Sequence, residues 1–160
     1  MGKSVIMERL AQGKFTLIAE IGVNYYDIAK KMDISPLDAA CLMIDKAAQA
    51  GIHAVKFQSY KANTIVSKNS PAYWDTSKEP TRTQYELFLK FDHFGESDYK
   101  TLCDYTHSKG MDFTSTPFDY VSADYLSDMV DFYKISSSDI TNLPFIKYIG
   151  SKCKPVVLSV

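Results

Sequence analysis

Two lysines stand inside short apolar runs, where a charged side chain needs a reason. Lys56 sits in Ala54-Val55-Lys56-Phe57-Gln58, and Lys134 sits in Phe132-Tyr133-Lys134-Ile135. Two carboxylates fall at comparable places: Glu20 closes Leu17-Ile18-Ala19-Glu20, and Asp139 follows Ser136-Ser137-Ser138. Hydroxyls recur there as well, in Thr114-Ser115-Thr116, at Ser137 and at Ser159. Two ammonium groups with Ser and Thr donors make a receptor for a phosphate and a carboxylate on one small molecule. A carboxylate beside them can do acid or base work. Each of these residues has an ordinary reading. A lone strand lysine is usually on an edge or snorkels outward, and Ser/Thr runs usually cap turns. Recurrence at every strand end favours a site.

The elements that must carry these residues follow from the apolar pattern. Strands are expected at Thr16–Ile21, Ala54–Gln58, Asp112–Ser115, Asp131–Ser136 and Pro155–Ser159, since parallel strands buried on both faces read as short apolar runs. Helices are expected between them. One starts at Ser35-Pro36, where Ser caps and Pro suits the first turn, and stops at Gly51. Others run from Ser97 to Gly110, from Tyr120 to Met129 and from Asn142 to Gly150. A helix over Gln84–Phe91, read as core packing, lies inside the long irregular segment from Ser59 to Glu96. The alternation of strand and helix predicts an α/β fold with a parallel sheet. Ligands in such folds bind at the C-terminal ends of strands. Neither GxGxxG nor GxxxxGK[ST] occurs, which weakens a nucleotide-binding sheet.

Composition closes off other classes. The 160 residues carry a net charge of −1 and 46% hydrophobic residues, enough for one packed domain and no electrostatic case for nucleic acid or an anionic membrane. No apolar run is long enough to span a bilayer, and the first fourteen residues lack the apolar stretch of a secretory signal. Cys41, Cys103 and Cys153 form no CxxC pair, so core thiols of a reduced, cytoplasmic chain are the expectation. His53, His93 and His107 match no zinc spacing. The aromatic segment from Tyr60 to Phe94, with Ser70-Pro71-Ala72-Tyr73-Trp74-Asp75 at its middle, is as consistent with loop packing as with a substrate-side role.

The motifs taken together resemble the N-acetylneuraminate (sialic acid) synthase family. The resemblance rests on Ile18-Ala19-Glu20-Ile21-Gly22-Val23-Asn24, Ala54-Val55-Lys56-Phe57-Gln58, Ser115-Thr116-Pro117-Phe118-Asp119, Tyr133-Lys134-Ile135 with its serines, Thr141-Asn142-Leu143-Pro144 and Lys154-Pro155-Val156-Val157-Leu158-Ser159. It spans about Phe15 to Ser159, leaving 1–14 as an N-terminal extension and 15–160 as a truncated barrel domain. It implies a (β/α)8 TIM barrel, of which this chain holds the first four to five β/α units. It implies condensation of phosphoenolpyruvate with an N-acyl amino sugar, such as N-acetylmannosamine or its 6-phosphate, to a nonulosonic acid and phosphate. Lys56, Thr116, Lys134, Ser137 and Ser159 match the phosphoenolpyruvate-binding positions. Glu20 matches the glutamate near the sugar, Asp139 an acidic position suited to acid/base assistance, and Asn24 a residue on the sugar side. A homodimer and a divalent cation, Mn or Mg, are implied, with the cation's histidine ligands outside this chain. The family commonly has Asn-His where Asn24 is followed by Tyr25, which marks a branch with a different sugar. The chain alone is therefore expected to lack turnover. Alternatives are a non-catalytic half-barrel that folds by association, and another phosphoenolpyruvate-dependent keto-deoxy sugar acid synthase.

Overall fold

The computed structural model describes residues 4–160. Five parallel strands carry the architecture: β1 (Ile18–Gly22), β2 (Ala54–Ser59), β3 (Asp112–Pro117), β4 (Tyr133–Ile135) and β5 (Val156–Leu158). The first three form one sheet in the order β1-β2-β3, and β4-β5 form a second. The single sheet expected from the sequence is thus divided between β3 and β4. Across that division the links are few: Asp131 N–H donates to Phe113 O at 2.9 Å, and Thr114 Oγ1 donates to Phe132 O at 2.6 Å.

The helices lie where the caps place them. α1 (Val5–Ala11) and α2 (Tyr25–Met32) flank β1, and α3 (Pro36–Gln49) crosses to β2. Ser35 caps α3 by accepting from Asp38 N–H at 3.0 Å, and Gly51 takes the left-handed φ of 73° that ends the turn. α4 (Ala62–Ile65) and α5 (Gln84–Phe91) belong to the long connection after β2, α6 (Glu96–Ser108) leads to β3, and α7 (Tyr120–Leu126) and α8 (Leu143–Gly150) follow β3 and β4. A 3-10 turn, Ser137–Asp139, follows β4. α1, α2 and α4 were not foreseen, and α5 buries none of its residues fully, unlike the core helix expected.

Every residue of β3 is buried, as a strand covered on both faces must be. The core joins Phe57 and Phe113 of neighbouring strands to Ile44, Leu102 and Leu126 of the helices. Burial of each such large side chain contributes about 2–3 kcal/mol. Tyr25 stacks on Phe94 with ring centres 4.3 Å apart, which fastens α2 to the long connection. A smaller cluster sits under the other strand ends, where Ile6 of α1 packs with Ala54 and Phe132. The segment set apart as an extension therefore plugs the N-terminal end of the strands. No helix among the described residues is long and apolar enough to cross a membrane.

Candidate functional site

β1 and β2 pair so that Glu20 lies opposite Lys56. Their side chains meet, with Lys56 Nζ 2.6 Å from Glu20 Oε2. Lys56 also donates to Thr116 Oγ1 of β3 at 3.3 Å. Its side chain is 11% exposed while that of Glu20 is 53% exposed, so the ammonium is recessed and the carboxylate faces the opening. The bulge between Glu20 and Gly22 makes this approach, and Gly22 takes φ 56°. A Cβ there would meet Glu20 Oε1 at 2.9 Å and Gln58 Nε2 at 3.5 Å. The left-handed φ is what calls for glycine here, since the exposed Glu20 side chain could give way to a Cβ.

Lys134 reaches the same region from the second sheet. Its ammonium donates to Ile135 O at 2.8 Å and to Ser159 Oγ of the segment after β5. Burial, then the charge of Lys56, holds Lys134 below its ordinary value, and Glu20 pulls the other way. Two lysines that repel across one carboxylate make a locally electropositive site, and a bound anion relieves the repulsion.

A cleft of about 480 Å³ lies next along the strands, lined by neither lysine. Gln58, two residues beyond Lys56 on the same face of β2, is among its lining residues and connects the two places. Tyr60, Ile65, Phe88 and Phe118 supply an apolar wall, and Thr64, Asn142 and Asp139 polar groups. Asp139 Oδ2 is buried and has no hydrogen-bond partner. A buried carboxylate oxygen left unpaired costs stability, and such orphans mark sites awaiting a ligand or proton.

The predicted residues thus divide. Glu20, Lys56 and Thr116 touch one another, Lys134 and Ser159 form a second pair, and Asp139 lines the cleft. Ser137 and Asn24 are exposed. Asn24 occupies the N-cap of α2 without a side-chain cap bond. Ser115 is spent on a buried bond to Ser59 at 2.6 Å. The histidines are occupied structurally: His53 Nδ1 accepts from Leu17 N–H at 2.9 Å, His93 stacks on Tyr26, and His107 pairs with Asp131. Trp74 folds its loop by donating to Glu79 O and Thr81 O, and Tyr73 is 80% exposed. Sequence reasoning missed Thr64, Ile65 and Phe88, which carry no signal beyond their place in a long loop. Among the described residues no three His, Cys, Asp or Glu side chains come together as a metal set. A second cavity, about 420 Å³, lies under the N-terminal strand ends beside Cys103, His107, Asp112 and Asp131. Of its polar groups, His107 and Asp131 are paired with each other, and Asp131 and Asp112 accept from backbone N–H groups.

Known proteins are similar to this chain in sequence and in fold. The N,N'-diacetyllegionaminic acid synthase of Legionella pneumophila is 36% identical over 146 residues, which are 89% of this chain and 38% of that protein. The N-acetylneuraminic acid (sialic acid) synthetase structure from Leptospira borgpetersenii superposes with a TM-score of 0.67 at 26% identity, over 89% of this chain and 43% of that one. The Bacillus subtilis spore coat polysaccharide biosynthesis protein spsE gives 0.64 at 32% identity, over 91% and 36%. The chain spans about two fifths of the length of the curated relatives it matches. Residues 43–160, most of the chain, match the NeuB family profile, and the chain belongs to the NeuB family.

Proposed function

We propose that this chain carries the phosphoenolpyruvate side of a sialic acid synthase-type condensation, on the first four to five units of a (β/α)8 barrel. The observation that carries the proposal is that Lys56 and Lys134, on two different sheets, are near enough for the charge of Lys56 to act on Lys134, and each ammonium holds a hydroxyl, Thr116 and Ser159. A dianionic substrate with phosphate and carboxylate groups supplies the charge that this pair lacks. Thr116 and Ser159, already bonded to the two ammonium groups, turn to the same oxygens. Ser137, exposed beside the cleft, is a further donor.

The sugar aldehyde lies next along the strands, in the cleft between Gln58 and Asp139. In the condensation the enol carbon of phosphoenolpyruvate forms a bond to the aldehyde carbon, whose oxygen takes a proton. Water then adds to the resulting oxocarbenium carbon, and phosphate leaves by cleavage of its bond to that carbon. Glu20, exposed and beside Lys56, faces the sugar. The buried, unpaired oxygen of Asp139 holds or releases a proton during addition. A divalent cation would polarise the aldehyde, on residues elsewhere in the whole enzyme. The apolar wall beside polar groups suits an N-acyl amino sugar. Asn24 stands farther out on that side, and dimerisation belongs to the whole enzyme.

Calorimetric titration of the chain with phosphoenolpyruvate tests this reading. Lys56→Ala and Lys134→Ala are each expected to weaken binding by about tenfold or more, with affinity falling as salt rises. Equal binding by both variants and the wild-type chain would overturn it.

A further inference from the structure

Asp119 ends the Ser115-Thr116-Pro117-Phe118-Asp119 segment and is 8% exposed. One carboxylate oxygen caps α7, accepting from Ser122 N–H at 2.6 Å. A cap needs only that oxygen. The other reaches across to α4, accepting from Thr64 Oγ1 at 2.6 Å and from Lys61 N–H at 3.2 Å. Asp92 grips the same segment from the far side. It accepts from Ala62 N–H at 3.0 Å and from Lys61 Nζ at 2.6 Å. The Lys61 ammonium, bonded also to Phe94 O at 3.0 Å, offsets the charge of the two carboxylates. Tyr60 is anchored separately, buried against Phe88 and Phe118, but Thr64 and Ile65 beyond it lack such packing. α4 is one turn long, only Ala62 of it is fully buried, and an isolated turn of helix has no stability of its own. Yet Tyr60, Thr64 and Ile65 form one wall of the cleft.

We propose that Asp119 is a positioning residue that sets this wall, and with it the sugar side of the site, while leaving the lysine side alone. The inference rests on the cleft being the sugar side. Its chemistry is also specific at one atom. The single proton of the Thr64 hydroxyl is committed to Asp119 or to Lys61 O, 2.7 Å away. Thr64 therefore offers the cleft oxygen lone pairs, which take an N–H or O–H donor from a ligand such as an acylamino sugar.

Asp119→Ser separates the two duties, because a serine hydroxyl still caps α7 but is too short to hold α4. Thr64→Val removes the same contact from the other side with the α7 cap intact, should the first variant fold poorly. Hydrogen exchange read residue by residue is expected to speed up about tenfold or more at Lys61 in Asp119→Ser, and to stay unchanged at Ser122. N-acetylmannosamine should bind about tenfold more weakly in both variants, with phosphoenolpyruvate affinity unchanged. Wild-type exchange and sugar binding in Asp119→Ser would reduce the residue to a cap and overturn the proposal. Equal weakening of both ligands would overturn it too, as general destabilisation. If the unmodified chain binds neither ligand, the assignment of function fails, and Lys61 exchange alone then decides whether Asp119 holds α4.

Discussion

The two lysines of the site differ in what surrounds them. Lys56 has a carboxylate partner in Glu20, whereas the described residues offer Lys134 only the neutral acceptors Ile135 O and Ser159 Oγ. Burial and the charge of Lys56 hold Lys134 below its ordinary value, so an incoming anion favours its charged form. The thiols show the same environmental control away from the site. Burial pushes Cys103 from 9.0 up to about 11, and its Sγ donates to Met129 O at 3.2 Å. Cys153 is exposed. Iodoacetamide at about pH 8 is therefore expected to label Cys153 and spare Cys103, as read by peptide mass spectrometry, since only a thiolate attacks. Unfolded, Cys103 loses its proton near 9.0, and folded only near 11. Between those values the folded state holds the extra proton, so this group's contribution to stability falls as pH rises through that window. Prompt labelling of Cys103 in the folded chain would contradict its burial.

α1 is held by a residue far away in sequence. Asp112, the first residue of β3 and 3% exposed, accepts from Ser4 Oγ at 2.6 Å and from the N–H groups of Val5 and Ile6 at 2.8 Å each. The carboxylate satisfies donors that a helix start leaves open and sits at the positive end of its dipole. Asp112→Ala is expected to cost about 2–4 kcal/mol in urea unfolding, because buried donors lose a charged acceptor and Ile6 loses its anchorage. Asp112→Asn should cost less than that, keeping one acceptor. An unchanged urea midpoint in Asp112→Ala would mean that α1 is held by Ile6 packing alone. This helix was invisible in the sequence because seven residues capped by Ser4, which accepts from Met7 N–H at 3.2 Å, are too short to announce themselves, and their anchor Asp112 lies beyond residue 100. α2 was missed for a related reason: Asn24 makes no cap bond, and Asp33 rather than glycine takes the left-handed φ of 56° at its end. The strands were legible because burial on both faces leaves apolar runs, and within them Lys56 and Lys134 stood out. Thr64 and Phe88 were not, because hydrogen bonds to the Asp92 and Asp119 carboxylates and packing of Tyr60 on Phe88, and not local pattern, set where that connection lies.

At the scale of the whole molecule the site depends on a joint between two sheets. Lys56 rides on β1-β2-β3 and Lys134 on β4-β5, so their separation is fixed by how β3 meets β4. No ladder joins these strands. Asp131 supplies the link at the N-terminal end. Its N–H donates to Phe113 O at 2.9 Å, and its carboxylate accepts from Phe113 N–H at 2.8 Å and pairs with His107 Nε2 at 2.7 Å. One residue thus stands in for a missing pair of strand bonds, one bond from its backbone N–H and one to its carboxylate, and its carboxylate also ties α6 to the joint. Asp131→Ala leaves Phe113 N–H buried without an acceptor, a loss of about 2–3 kcal/mol in urea unfolding. The same variant is expected to weaken phosphoenolpyruvate binding severalfold, by loosening the joint that spaces the two lysines. Asp131→Asn keeps an oxygen for Phe113 N–H and should recover most of the affinity. A destabilised Asp131→Ala that binds phosphoenolpyruvate as tightly as the wild-type chain would show that Thr114 Oγ1 and the packing of Phe113 against its neighbours align the lysines without the joint.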